Sequence, residues 1–362
     1  MKKHEKHPFL TKPNIGNWGR NEFALVGAPC EVINQIAGEI ISALSGKYKI
    51  AFVDADHKAD QSFDFTDFTK FQDKISYFNI SKKELSDFDK KALLNDCDII
   101  LVNGNHFTAE KQIILINQKK EDSLKKRECQ LTDVIAILKT DDSPVFDWLK
   151  MANQPVLSKE NTLELIPIIE KSLKPVPLNG LILVGGKSKR MGESKADLCY
   201  FDNLSQKDYL FKIMEESVIE TYFSVAENQD KNNEIADSFL QMGPYGAILS
   251  AFKFNPNVAW LVLACDMPLV GKNEIDFLIQ NRNPSKIATA CYNPETNFPD
   301  PLFTIWEPKA YPVLLQFLSQ GYSCPRKVLI NSDVKIINLP NPEALKNINN
   351  QVERSEFLKK DL

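Results

Sequence analysis

The chain has 362 residues, enough for two domains of ordinary size, and its 43% apolar and 25% charged residues are normal for a soluble globular protein. A net charge of -4 gives no sign of a nucleic-acid surface, no run approaches the ~18 apolar residues of a membrane span, and the first residues, MKKHEKHPFLTKPN, lack the apolar core of a secretory signal. The seven cysteines are odd in number and form no CxxC pair, so a disulfide framework or zinc site is not expected and a cytoplasmic location is.

In chain order, after an N-terminal tail over residues 1–20, short β-branched runs at 23–26, 50–53, 75–80, 99–102, 113–116 and 134–138 read as strands. Helical patterns over 32–44 and 83–94 lie between them, and 161–173 is helical. The charged stretch 119–127 reads as a solvated helix face. Proline cannot continue a helix and restrains the residue before it, so Lys174-Pro-Val-Pro-Leu-Asn marks a domain boundary. The alternation then repeats. Strands are expected at 181–184, 222–225, 260–264, 287–291, 302–305 and 334–337, with helices at 209–219, 247–252 and 311–318. Two α/β units in tandem follow, each a mostly parallel sheet with helices on both faces, over 21–172 and 178–352.

The most informative stretch is Leu181-Ile-Leu-Val-Gly-Gly-Lys-Ser-Lys-Arg-Met-Gly-Glu-Ser-Lys195. A buried strand breaks into a loop rich in glycine and cations. Such a loop can lay backbone N–H groups along a polyphosphate while Arg190 and Lys195 neutralise its oxygens. The string resembles L-A-G-G-x-S-x-R-M-G-x-x-K, the signature of the molybdenum cofactor guanylyltransferase (MobA-like) family. Leu183, Gly185, Gly186, Ser188, Arg190, Met191, Gly192 and Lys195 match in register, and Val184 stands where the family usually has Ala.

Further on, Leu261-Val-Leu-Ala-Cys-Asp-Met-Pro brings a carboxylate, Asp266, to the end of an apolar strand. Taken alone it can cap the next helix or hold Mg²⁺, which is content with one or two carboxylates plus substrate phosphates. The string resembles the family's C-D-x-P element, which implies the metal role. Asp237 and Gly243-Pro-Tyr-Gly-Ala resemble the nucleotide-recognition region, with Asp237 on the base or ribose side and Gly243 and Gly246 permitting close backbone approach. Phe298-Pro-Asp-Pro-Leu resembles x-P-x-P-L without its usual preceding His. Arg326-Lys327-Val328 resembles the basic element facing the pterin. Asn338-Leu-Pro-Asn-Pro-Glu343 resembles N-x-N-T-P-E, keeping Asn338 and Pro342-Glu343 but with Pro340 at the second Asn. The family's G-K-P is replaced by the segment 201–206, and its Asn near the second strand by Val225. The resemblance covers residues 178 to about 350.

In the first half, Phe23-Ala-Leu-Val-Gly-Ala-Pro-Cys-Glu-Val-Ile-Asn34 sits where a Walker A loop would, but lacks its Lys and its Ser/Thr hydroxyl. It resembles a degenerate MobB, the P-loop partner of the guanylyltransferase, and without those groups triphosphate hydrolysis is not expected. Asp54, Asp56 and His57 read as a polar loop at a strand end.

The resemblance therefore implies a Rossmann-like nucleotidyltransferase fold behind a degenerate P-loop-like one. It also implies transfer of GMP from GTP to the molybdopterin cofactor with Mg²⁺ and release of pyrophosphate. Arg190, Lys195 and Asp266 would be catalytic. Leu183, Val184, Gly185, Gly186, Ser188, Lys195, Asp237, Gly243, Asp266, Arg326, Lys327 and Asn338 would bind substrates. A molybdoenzyme or its chaperone is the implied protein partner; neither nucleic acid nor membrane is. A cytidylyltransferase using CTP, a nucleotidyltransferase acting on a sugar or polyol phosphate, and a non-catalytic regulatory protein are the other readings.

Overall fold

The computed structural model describes residues 10–55, 69–149, 153–184, 195–200, 204–227 and 232–348, with 353 and 355. The chain divides into two compact units, Ile15–Lys174 and Pro175 onward, the latter including residues 10–14.

In the first unit, β1 (Glu22–Val26) leads into α1 (Cys30–Leu44) and β2 (Ile50–Val53). A hairpin of β3 (Lys70–Asp73) and β4 (Phe78–Ser81) follows, then α2 (Asp87–Leu93), β5 (Ile99–Asn103), β6 (Lys111–Ile116), α3 (Glu121–Lys125), β7 (Val134–Lys139), β8 (Val156–Leu157) and α4 (Leu165–Lys171). The six-stranded sheet runs β2-β5-β1-β6-β7-β8, every pair parallel. On α1, Ile33, Ile36, Ala37, Ile40 and Leu44 recur at helical spacing, and this stripe packs with α4 on one face of the sheet. The other face is covered by Leu124 of α3 and by loop residues such as Phe146, Leu149, Trp18 and Phe107.

Three expectations differ here. The strand expected over 75–80 is a hairpin: Ile75 adopts φ 68 in its turn, and Phe71 and Phe78 stack on an exposed surface, each more than 60% accessible. Within the stretch 119–127, Leu124 is buried and Arg127 bonds the carbonyls of Ser123 and Asn105, so only part of that face is solvated. Residues 10–20 are held and do not dangle. Asn257 bonds the backbone of Lys12 and Asn14, while the Glu22 carboxylate accepts the N–H groups of Asn17, Trp18 and Gly19.

In the second unit, β9 (Leu178–Leu183), α5 (Gln206–Glu215), β10 (Thr221–Val225), β11 (Glu234–Ala236), α6 (Pro244–Phe254) and β12 (Ala259–Ala264) alternate. Then come α7 (Lys272–Gln280), β13 (Ala288–Asn293), β14 (Phe298–Trp306), α8 (Ala310–Ser319), α9 (Pro325–Ile330) and β15 (Val334–Ile337). The seven strands are ordered β11-β10-β9-β12-β14-β13-β15. Only β14 runs against its neighbours, because a tight turn at Asn297 (φ 59) returns it beside β13. Side chains alternate across the central strands. Ile182, Leu261 and Leu263 meet α5 and α7 on one face, while Leu181, Leu183, Trp260 and Val262 meet α6, α8 and α9 on the other. The result is a three-layer α/β/α unit. Among the described residues no helix is long and apolar enough to cross a membrane, and no disulfide links any of the seven cysteines.

Candidate functional site

Strand register fixes where the chemistry-bearing loops emerge. Leu183, the last residue of β9, pairs with Ala264 at the end of β12 and with Ser224 near the end of β10. Val184 and Asp266 therefore leave adjacent parallel strands at one edge, the carboxyl edge where open α/β sheets bind ligands. Half-buried Asp266 follows Cys265, and its backbone carbonyl accepts from the Ile348 N–H at 2.9 Å, which pins the C-terminal segment there. The Cys265 thiol is pushed up to about 12 by burial, and further by the neighbouring Asp266 charge. It stays a neutral, inert packing group beside the carboxylate.

Gly185, Gly186, Ser188 and Arg190 lie outside the described residues, as does the side chain of Lys195. The chain is described again from the turn Lys195–Asp197, anchored by buried Ala196 and Leu198. Asp197 forms an ion pair with Lys207 and holds that amine above its ordinary range. At the start of α5, Ser205 caps Asp208. Gln206 beside it is 1% exposed, and among the described residues neither of its amide atoms has a hydrogen-bond partner.

Asp237 follows β11 at the same edge. Its N–H bonds the Val225 carbonyl, and its carboxylate accepts from Ser224 Oγ at 3.2 Å. Burial raises this carboxyl above 3.8 against the opposing Ser224 hydrogen bond. Gly243, the N-cap of α6, has φ 55, a left-handed conformation that glycine takes without strain. Gly246 serves differently: a Cβ there would sit 2.2 Å from the Phe239 carbonyl oxygen, so α6 packs onto the Asp237 segment only through glycine.

Because β14 is antiparallel, its first residues also reach this edge. Asp300 is buried there, its carboxylate taken by Asn293 and the Leu302 N–H at 3.1 and 2.9 Å, which makes it a structural clasp. Asn338, exposed after β15, shares the edge but stands three strands from β12, roughly 14 Å away at normal strand spacing. Arg326 and Lys327 sit on α9 in the α6/α8 layer. Lys327 lies over the Tyr322 ring at 5.0 Å, and the buried Arg326 Nε has no partner among the described residues. The carboxyl edge thus brings together Val184, Asp237, Asp266 and Asn338, and leaves Arg326 and Lys327 on a flanking helix.

Among the described residues no three His, Cys, Asp or Glu side chains stand together as a metal cage. What Asp266 offers is a single carboxylate ligand, which suits a hard cation completed by phosphate and water.

Residues 180–335 match the MobA-like NTP transferase domain family. The C-terminal half is a MobA-like NTP transferase domain. The "Molybdenum cofactor biosynthesis bifunctional protein" of Synechocystis is 27% identical over 216 residues, 57% of this chain and 60% of that protein. The chain thus spans less than two thirds of this relative. The "Probable molybdenum cofactor guanylyltransferase" of Carboxydothermus hydrogenoformans is 26% identical over 190 residues, 49% of this chain and 93% of that one. Among solved structures, molybdopterin-guanine dinucleotide biosynthesis protein A from Archaeoglobus fulgidus is 17% identical, covering 51% of this chain and 98% of its own, with a TM-score of 0.43. MobB of Bacillus subtilis is 11% identical, covering 42% and 98%, with a TM-score of 0.34. Superpositions this loose carry no argument; the fold of the MobA-like domain rests on its own sheet.

Proposed function

We propose that the MobA-like domain transfers GMP from GTP to the molybdopterin form of the molybdenum cofactor, releasing pyrophosphate with the help of Mg²⁺. The observation that supports this reading is the register of β9 with β12, by which Val184, the residue before Gly185 in the sequence, and Asp266 follow adjacent strand ends. The printed names of the relatives support the substrate pair.

The terminal phosphate of the pterin would attack the α-phosphorus of GTP, so the protein need only position and neutralise charge. Backbone N–H groups of Gly185 and Gly186 would hold the triphosphate, with Ser188 beside them. Arg190 and Lys195 would stabilise the departing pyrophosphate. Asp266 would hold Mg²⁺, which when bound supplies further neutralisation of phosphate oxygens. Asp237 and Gly243 would border the nucleoside, and Asn338, Arg326 and Lys327 would approach the pterin. No side-chain nucleophile is needed, and the C-terminal half of the sequence contains no histidine.

The preference for guanine rests on Val184-Gly185-Gly186 and Cys265-Asp266, closer to the guanylyl than the cytidylyl pattern. Calorimetric titration of GTP and CTP with Mg²⁺ tests it, and tighter CTP binding would overturn it. Lys195→Ala and Asp266→Asn are each expected to lower guanylyl transfer by about a hundredfold or more, the scale of losing a preorganised electrostatic contact. Wild-type pyrophosphate release by both would end the catalytic assignment.

A further inference from the structure

In the first unit only three residues, Gly27-Ala28-Pro29, separate β1 from α1. Gly27 takes φ 108, and a Cβ there would lie 2.6 Å from the Leu115 carbonyl oxygen. A turn this short and this closely packed cannot wrap a phosphate. What it presents instead is Cys30, the first residue of the 15-residue helix α1. Cys30 Sγ lies 3.4 Å from His106 Nε2. The side-chain amide of Asn105, fixed on the Ala28 carbonyl at 2.8 Å, lies 3.9 Å from the same sulfur.

The placement follows from topology. β1 and β5 are adjacent and parallel, with Leu25 paired to Asn103, so residues just beyond each strand meet at the carboxyl edge of the sheet. Arg127 holds the Asn105 carbonyl at 2.8 Å and so fixes the segment that carries His106. Asp54, after β2, accepts from the Asn103 amide at 2.7 Å on the same edge.

We propose that Cys30 and His106 form a reactive thiol–imidazole pair that takes a low-molecular-weight disulfide and becomes a mixed disulfide at Cys30. This stands apart from nucleotidyl transfer. The Nε2 nitrogen, in the tautomer that leaves it unprotonated, accepts the thiol proton, and the positive end of α1 faces the sulfur anion that results. That sulfur attacks one sulfur of the disulfide. A new Sγ–S bond forms as the old S–S bond breaks, and the departing thiolate leaves with the proton taken up by His106. Cys30 is oxidised and one half of the disulfide is reduced. Glu31, next in α1, opposes charge build-up on sulfur. Among the described residues the Arg127 guanidinium and the Asp54 carboxylate also carry charge at this edge, each held by its own hydrogen bond. Cys30 is half-buried, whereas Cys129, Cys199 and Cys324 are exposed, so exposure alone ranks Cys30 below them.

The test treats the full-length chain with oxidised glutathione at pH 6.5 and maps mixed disulfides by peptide mass spectrometry over time. Cys30 is expected to react at least about tenfold faster than Cys129 or Cys324. The preference should vanish in urea and fall to their level in His106→Gln. Equal rates at all accessible cysteines in the native wild-type chain would overturn the proposal, with no variant needed. An unchanged Cys30 rate in a folded His106→Gln protein would overturn the role of the imidazole.

Discussion

At the scale of single residues, the site is shaped as much by missing atoms as by functional groups. Gly246→Ala places a Cβ against the Phe239 carbonyl oxygen, a backbone atom that can yield only by moving α6. Overpacking of this kind costs about 2 kcal/mol. Urea unfolding should show that loss, together with weaker nucleotide binding, because the displaced segment carries Asp237. Gln206→Leu should act in the opposite direction. It removes two buried amide atoms that no hydrogen bond among the described residues offsets, and the chain is expected to gain about 1 kcal/mol; a loss of that size would mean the amide is satisfied in solution. Asp237 combines the two concerns. Burial raises its carboxyl in the folded chain, so its contribution to stability is full below the unfolded value and is lost as pH rises through the folded one. Asp237→Asn should therefore raise the melting temperature at pH 7, and the gain should shrink as pH falls towards 3.8, while nucleotide affinity drops.

At the scale of elements, one buried ion pair ties the linker to the sheet of the MobA-like domain. Arg282, just after α7, grips Glu307, just after β14, through Nε–Oε1 at 2.7 Å and Nη2–Oε2 at 2.8 Å, and its Nη1 bonds the Val176 carbonyl at 3.1 Å. Glu307 is 1% exposed. Arg282→Met strands that carboxylate and should cost about 3–5 kcal/mol, most of it recovered in Arg282→Met combined with Glu307→Leu. Denaturant midpoints of the three proteins decide this. Nothing in the sequence marks these two residues as partners, since the pairing depends on β14 turning back beside β13. Local patterns were readable where they were strong. Leu181–Leu183 and Trp260–Ala264 carry continuous apolar runs and are buried on both faces of the sheet, as parallel strands with helices on either side must be. The direction of β14 was not readable, because direction is set by turn geometry at Asn297 rather than by composition. The hairpin at Ile75 escaped for a related reason: the apolar run 75–80 looks like one strand, yet a positive φ at β-branched Ile75 makes its first residues the turn between β3 and β4. Of the candidate site, what the sequence shows is position: Val184 and Asp266 end strongly apolar strand runs, so their places at the strand ends could be read, whereas an Asp at such an end can equally cap the next helix. Gln206 and Gly246 were harder to weigh, since their importance lies in what packs around them.

At the scale of the whole molecule, the hydrophobic clusters fall wholly within one unit or the other. Two fill the faces of the MobA-like sheet, and three belong to Ile15–Lys174. Each unit thus has hydrophobic clusters of its own on its sheet, the physical requirement for independent folding. Deletion of residues 1–170 should leave a folded MobA-like domain that binds GTP with Mg²⁺ at near wild-type affinity. It also removes the Asn257 hydrogen bonds to Lys12 and Asn14, which are exposed and worth about 1 kcal/mol or less each. If the first unit instead serves as a docking scaffold for a molybdoenzyme or its chaperone, the truncated chain should still make the dinucleotide but load an apo-molybdoenzyme more slowly than the full chain does. Equal loading by both would remove the scaffold role. ATP or GTP hydrolysis by residues 15–174 alone would show that the three-residue turn at Gly27 still works as a phosphate loop, which its length and packing argue against.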